Sequence, residues 1–175
     1  MMTHKIPQGT RFPPMSPFLG QHQNRLDAKG RVSVPASFRS VLKEMTGSSE
    51  MILRPSTSYA CIEAWPVPRF NELESSLEAL DVLSEEYEDR ATALYADAYP
   101  VEADKDGRIL LPEKLAAHAN LTDAVVFMGR GKIFTIWEPE AAGVRSAEAR
   151  ENIKLLSKTP KASRAGAAPA AAAGE

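Results

Sequence analysis

Apolar and polar residues alternate in two short runs set 77 positions apart. In Arg31-Val32-Ser33-Val34 the valines take every second place, and in Arg108-Ile109-Leu110-Leu111 the places of Val32 and Val34 fall to Ile109 and Leu111. A period of two predicts strands with one face turned inward. Each run follows an Asp-x-x-Gly sequence, at 27–30 and 104–107, which reads as a tight hairpin turn with glycine in the left-handed position. Each run also leads to a proline, Pro35 or Pro112, suited to the first position of a helix, where no N–H is needed. Short helices follow, one marked by Phe38, Val41 and Leu42, the other by Leu115 and Ala119 with Asn120 as its stop. Two further strands are expected after each helix, around 51–54 and 59–65, then around 124–128 and 132–137, with Gly129-Arg130-Gly131 turning between the last two.

These parallels amount to an internal repeat. Residues 24–39, NRLDAKGRVSVPASFR, and 101–116, VEADKDGRILLPEKLA, share Asp27/Asp104, Gly30/Gly107, Arg31/Arg108 and Pro35/Pro112. Val32/Ile109, Val34/Leu111 and Phe38/Leu115 match in character, and Trp65 matches Trp137 at a spacing of 72. The first copy is thus five residues longer, an excess expected in the loop at 46–50. The predicted class is α+β, mainly β, with two tandem units at 21–68 and 97–140.

Between the copies, Phe70, Leu73, Leu77, Leu80 and Leu83 recur at three- and four-residue steps, continued by Tyr87, Ala91 and Leu94. That spacing predicts a helical spacer over 69–96, as one amphipathic helix or two, whose apolar stripe packs on the sheet or on a neighbouring subunit. A short helix is expected at 141–156. Residues 157–175, rich in alanine, and the N-terminal stretch 1–17 lack the residues for a core and are expected to be disordered and flexible.

Composition narrows the class. A hydrophobic share of 43% and a charged share of 25% are ordinary for a soluble globular protein. No apolar run approaches the ~18–20 residues of a membrane span, and the N-terminus has no apolar core resembling a secretory signal. The single cysteine, Cys61, excludes an internal disulfide, fits a reducing cytosol, and reads as a small core residue of a strand. Net charge is only −2, but it is unevenly spread. Residues 1–43 carry seven basic side chains against Asp27, whereas 71–90 carry eight acidic ones against Arg90. One surface is therefore suited to anions and another repels them. Catalysis finds little support: His4, His22 and His118 are scattered without metal-ligand spacing, and no nucleophile or phosphate-loop motif is present. No cofactor, metal or small-molecule substrate is expected.

The stretch FLGQHQNRLDAKGRVSVPASFR (18–39) closely resembles the start of MraZ proteins, and ADKDGRILLPEKLAAHANL with VVFMGRGKIFTIW resembles their second half. The resemblance covers about 18–140. It implies two AbrB-like units whose swapped hairpins interlock into a small barrel, and assembly of chains into homo-oligomeric rings. It also implies regulation of transcription from short DNA repeats ahead of the division and cell-wall gene cluster, the protein's own promoter included, in the cytoplasm and at the nucleoid. An AbrB-like antitoxin that binds a toxin protein is the alternative. The family's Asp-x-x-x-Arg signature falls on Asp27–Arg31 and Asp104–Arg108.

The residues support a DNA reading on their own chemistry. Arg31, first after its turn, either presents its guanidinium to guanine or phosphate or closes a structural clasp with Asp27. Asp27 repels DNA and is expected to accept turn N–H bonds or to orient Arg31. Lys29, Arg25 and Arg39 would add phosphate contacts that position without specifying. In the second copy Arg108 either contacts DNA or closes a structural clasp; it and Lys105 stand beside Glu102, Asp104 and Asp106, and Ala116 replaces Arg39. The first unit is therefore expected to dominate binding, with Gly30 and Gly107 shaping the two turns.

Overall fold

The structure, a computed structural model, describes residues 17–158. Apart from Pro17, Ser157 and Lys158, the two expected terminal tails lie outside the described residues. The chain divides into two compact units, one ending at Ala142 and one beginning at Gly143.

In the first unit, β1 (Gln21–Arg25) and β2 (Arg31–Ser33) flank the first Asp-x-x-Gly turn and lead to α1 (Ala36–Thr46). Strands β3 (Glu50–Pro55) and β4 (Ile62–Pro66) follow, then α2 (Val67–Glu78) and α3 (Glu85–Tyr95). The second copy runs β5 (Tyr99–Glu102), β6 (Arg108–Leu110), α4 (Glu113–His118), β7 (Ala124–Gly129) and β8 (Phe134–Trp137). The last helix, α5 (Pro139–Lys158), starts two residues before the expected 141 and runs two beyond 156.

The copies share their sheets. Six strands lie in the order β1-β7-β8-β4-β3-β5, and β2 pairs with β6 in a separate ribbon. The first strand of each copy thus lies against the third strand of the other, so neither copy has a sheet of its own. The register obeys a pseudo-two-fold relation. Arg31 faces Leu110, and their counterparts Arg108 and Ser33 also face each other. Ile62 faces Ile136 while Ala64 faces Phe134, which relates β4 and β8 in the same way. Glu102 lies opposite Glu50 and Arg25 opposite Ala124, so three of the five extra residues precede β3. The other two lengthen the turn between β3 and β4, rather than all five lying at 46–50.

Burial explains the pairing. Val32, Val34, Ile109 and Leu111 point inward with Phe18, Phe38, Phe127 and Phe134 to form one core. Phe38 packs edge-on to Phe18 at 5.3 Å between ring centroids and lies 5.0 Å from Phe134. Each such phenylalanine, fully buried, contributes ~1.5–3 kcal/mol of transfer free energy. Phe18 reaches this site because its strand segment runs against Gly129, where an added Cβ would collide with the Phe18 carbonyl.

The spacer's stripe packs on the sheet. Phe70, Leu77 and Leu94 cover Ile52 and Trp65, joined by Leu73, Leu80, Tyr87 and Ala91. The stripe breaks at Leu83, which is exposed in the turn between α2 and α3. Ser84 caps α3 by accepting from the Tyr87 N–H at 3.1 Å. Cys61 is buried with Val126, Trp137 and Ala142, but it precedes β4 instead of lying in it. Tyr59 likewise stands in the turn, and β8 starts at Phe134, later than 132. Pro35 and Pro112 sit one position before their helices, as N-caps with φ of −51° and −55°. Asn120 ends the α4 segment with φ of 53°.

Candidate nucleic-acid interface

Each hairpin turn is built by an aspartate. Asp27 Oδ1 accepts the Lys29 N–H at 2.9 Å and the Arg31 N–H at 2.8 Å, while the Gly30 N–H donates to the Asp27 carbonyl at 3.0 Å. Asp104 repeats the pattern, accepting from the Asp106 and Arg108 N–H groups at 2.9 and 3.0 Å. The short side chain reaches its own backbone two and four residues on, which is why aspartate suits this place. Gly30 and Gly107 close the turns at φ of +80° and +77°.

The same carboxylates hold the arginines. Arg31 Nε donates to Asp27 Oδ2 at 2.9 Å, with both side chains more than a third exposed. The clasp uses one of the guanidinium's five N–H donors, so it orients Arg31 without consuming it. Arg108 is held differently. Its Nη2 donates to Asp106 Oδ2 at 3.1 Å, and its Nε lies 3.4 Å from Asp104 Oδ2 without hydrogen-bond alignment. The Arg31 N–H above all, then the Arg31 guanidinium and the Lys29 N–H, hold the Asp27 carboxyl below its ordinary value of 3.8. For Asp104 the Arg108 N–H leads and the Asp106 N–H follows.

Backbone bonds lock the two hairpins together. The Val34 N–H donates to the Gly107 carbonyl at 2.9 Å, and the Leu111 N–H to the Gly30 carbonyl at 2.8 Å. On the β2–β6 ribbon between them, Val32 and Ile109 are paired and buried. By alternation Arg31, Ser33, Arg108 and Leu110 share the opposite face. Lys29 and Lys105 are exposed in the turns at its two ends.

The predicted basic residues do not form one cluster. Lys29 and Arg31 share the first turn. Arg39, although it belongs to the first copy, lies at the second: a Cβ on Gly107 would sit 2.6 Å from its Cζ. Its Nε donates to the Val34 carbonyl at 3.2 Å. Arg25 is exposed on the face of β1 shared with Gln21 and Gln23; Asn24, on the other face, donates to the Ser33 carbonyl at 2.6 Å. The charge contrast between the two turns is thus smaller than the linear sequence implies. Alternation along the first run already sets Ser33 on the outer face with Arg31, but Leu110 escaped sequence reasoning. Period-two alternation could have found Leu110, which an unbroken Ile-Leu-Leu run disguises as core.

Of the three histidines weighed in the sequence, His4 lies outside the described residues. The His22 ring packs edge-on to Phe38 at 5.1 Å, and His118 Nε2 lies 3.2 Å from the Tyr59 carbonyl. Among the described residues no group of three or more His, Cys, Asp or Glu side chains is placed to hold a metal ion, and no helix is long and apolar enough to cross a membrane.

Comparison with known proteins agrees with the motif. The family model for the MraZ protein, described as antitoxin-like, matches residues 18–92 and 94–151. A transcriptional regulator MraZ of Gluconacetobacter diazotrophicus is 56% identical over 158 residues, covering 89% of this chain and 100% of that protein. One from Gluconobacter oxydans is 53% identical over 88% of this chain and 95% of its own length. One from Xanthobacter autotrophicus is 38% identical over 81% and 90%.

Proposed function

This chain belongs to the MraZ family, and on that premise we propose that it is a sequence-specific DNA-binding regulator of transcription. It acts on short repeats upstream of the division and cell-wall gene cluster, its own promoter included. The observation that carries this reading is the ribbon face: Arg31 and Arg108, each held by an aspartate of its own turn, project from paired strands with Lys29 and Lys105 at the ends. A two-stranded ribbon fits the major groove, where an oriented guanidinium can bond guanine O6 and N7. The lysines add phosphate contacts that fix position.

The cross-pairing of β1 with β7 and of β5 with β3 supports two AbrB-like units with swapped hairpins forming a barrel. Arg31 takes the leading role, because its clasp is a single short bond and only Asp27 opposes it within its turn. Repetition of such modules in a homo-oligomeric ring in the cytoplasm, bound at the nucleoid, would raise avidity for repeated sites. Light scattering at micromolar concentration reads the ring directly, and a clean monomer refutes it. Footprinting on the DNA upstream of the chain's own coding sequence tests the function. Protection of short, regularly spaced repeats is expected; equal affinity for random DNA of the same length would refute it.

A further inference from the structure

One residue on the ribbon face is not explained by charge. Leu110 is 62% exposed although its chain neighbours Ile109 and Leu111 are buried. It faces Arg31 across the ribbon, and a Cβ on Gly30 would lie 3.6 Å from its Cδ1, so the side chain rests over the first turn. Its pseudo-two-fold counterpart is Ser33, which faces Arg108. One end of the ribbon therefore couples a guanidinium with an apolar side chain, and the other couples one with a hydroxyl. A lone exposed leucine on a protein surface is ordinary. This one shares a face with the arginine that the proposed function sets against DNA.

We propose that Leu110 reads a thymine, packing on its 5-methyl group while Arg31 bonds the neighbouring base pair. The inference rests on the ribbon as the DNA-facing surface. Thymine alone displays a methyl group in the major groove, and apolar side chains recognise it by contact. Cross-strand side chains stand about 5 Å apart, close to one or two base steps of about 3.4 Å each. Arg31 and Leu110 can thus address adjacent positions. Ser33 offers no apolar surface beside Arg108, so the two ends of a nearly two-fold ribbon prefer different base steps. The protein thereby acquires a direction on its site that the backbone symmetry alone would not provide.

The test uses the duplex directly upstream of the chain's own coding sequence, prepared once with thymine and once with uracil at every thymine position. Full-length protein is titrated on both by fluorescence anisotropy. Removing one buried methyl group is worth about fourfold in affinity, so the wild type is expected to bind the uracil duplex at least about fourfold more weakly. Leu110→Ser is expected to bind thymine DNA more weakly by a similar factor and to be indifferent to the replacement. Ser33→Ala should keep the wild-type ratio. Equal wild-type affinity for both duplexes overturns the inference, as does a Leu110→Ser variant that keeps the full thymine dependence. A Leu110→Ser variant that changes the oligomer by light scattering while keeping that dependence also overturns it, placing Leu110 in a protein contact. Failure of the wild type to prefer the thymine duplex over random thymine DNA refutes the sequence-specific function on which the inference rests, and the inference falls with it.

Discussion

Alanine at Gly30 and at Gly107 should have unequal costs, although the two glycines are counterparts in the repeat. Both have positive φ, +80° and +77°. A side chain in that left-handed conformation costs about 1–2 kcal/mol at either site. At Gly30 the new Cβ meets Leu110 Cδ1 and the Leu111 carbonyl at 3.6 Å, which is ordinary contact. At Gly107 it would stand 2.6–2.8 Å from Arg39 Cζ, Nε and Nη1, so the guanidinium must leave. Its bond to the Val34 carbonyl at 3.2 Å goes with it. A hydrogen bond of this kind is worth about 1 kcal/mol net. Gly30→Ala is thus expected to lose about 1–2 kcal/mol, and Gly107→Ala roughly 1 kcal/mol more. Urea unfolding followed by circular dichroism measures both. In an Arg39→Ala background the excess should vanish, leaving Gly107→Ala equal to Gly30→Ala. Equal losses in the wild-type background, or an excess that survives removal of Arg39, would refute the placement of Arg39 over the second turn.

Two further outcomes follow from the turns. The Asp27 and Asp104 carboxyls titrate below their ordinary 3.8 in the fold. Each therefore adds stability above that value and loses it as pH falls through the lowered folded-state value. Urea midpoints of the wild type and of an Asp27→Asn, Asp104→Asn double variant should converge as pH falls through that range, and a constant gap would contradict the assignment. In salt titrations on the upstream DNA, Lys29→Ala should flatten the log–log slope by about 0.9 for each phosphate no longer neutralised. Lys105→Ala should flatten it less, because Asp104 and Asp106 flank that lysine; an equal or larger effect would mean that both turns engage the backbone alike.

Much of the fold was legible because local signals agreed with it. Asp-x-x-Gly, the period-two runs and the helix-ending Asn120 each act over a few residues, and each appears where expected. The pairing of β1 with β7 could not be read this way, since the repeat shows that the copies match but not which strands meet. That partnership is decided by burial of Phe18, Phe38, Phe127 and Phe134 in a single core, a long-range effect. Arg39 illustrates the same limit at the candidate site. Along the chain it belongs with Lys29 and Arg31, yet α1 delivers it to the turn of the other copy. The division of the spacer into α2 and α3 was left open by periodicity, and the exposed turn at Leu83 resolves it.

In the proposed function Arg31, presented by its clasp with Asp27, carries sequence-specific recognition of DNA. Anisotropy titration of wild type and Arg31→Ala on the upstream duplex and on random DNA measures that role, with circular dichroism checking the fold. A well-placed arginine–guanine contact is worth ~1–3 kcal/mol. Arg31→Ala is expected to stay folded and to lose its preference for the upstream duplex, by about 5- to 150-fold per engaged site. An unchanged preference, or a variant that unfolds because the clasp was purely structural, would contradict it.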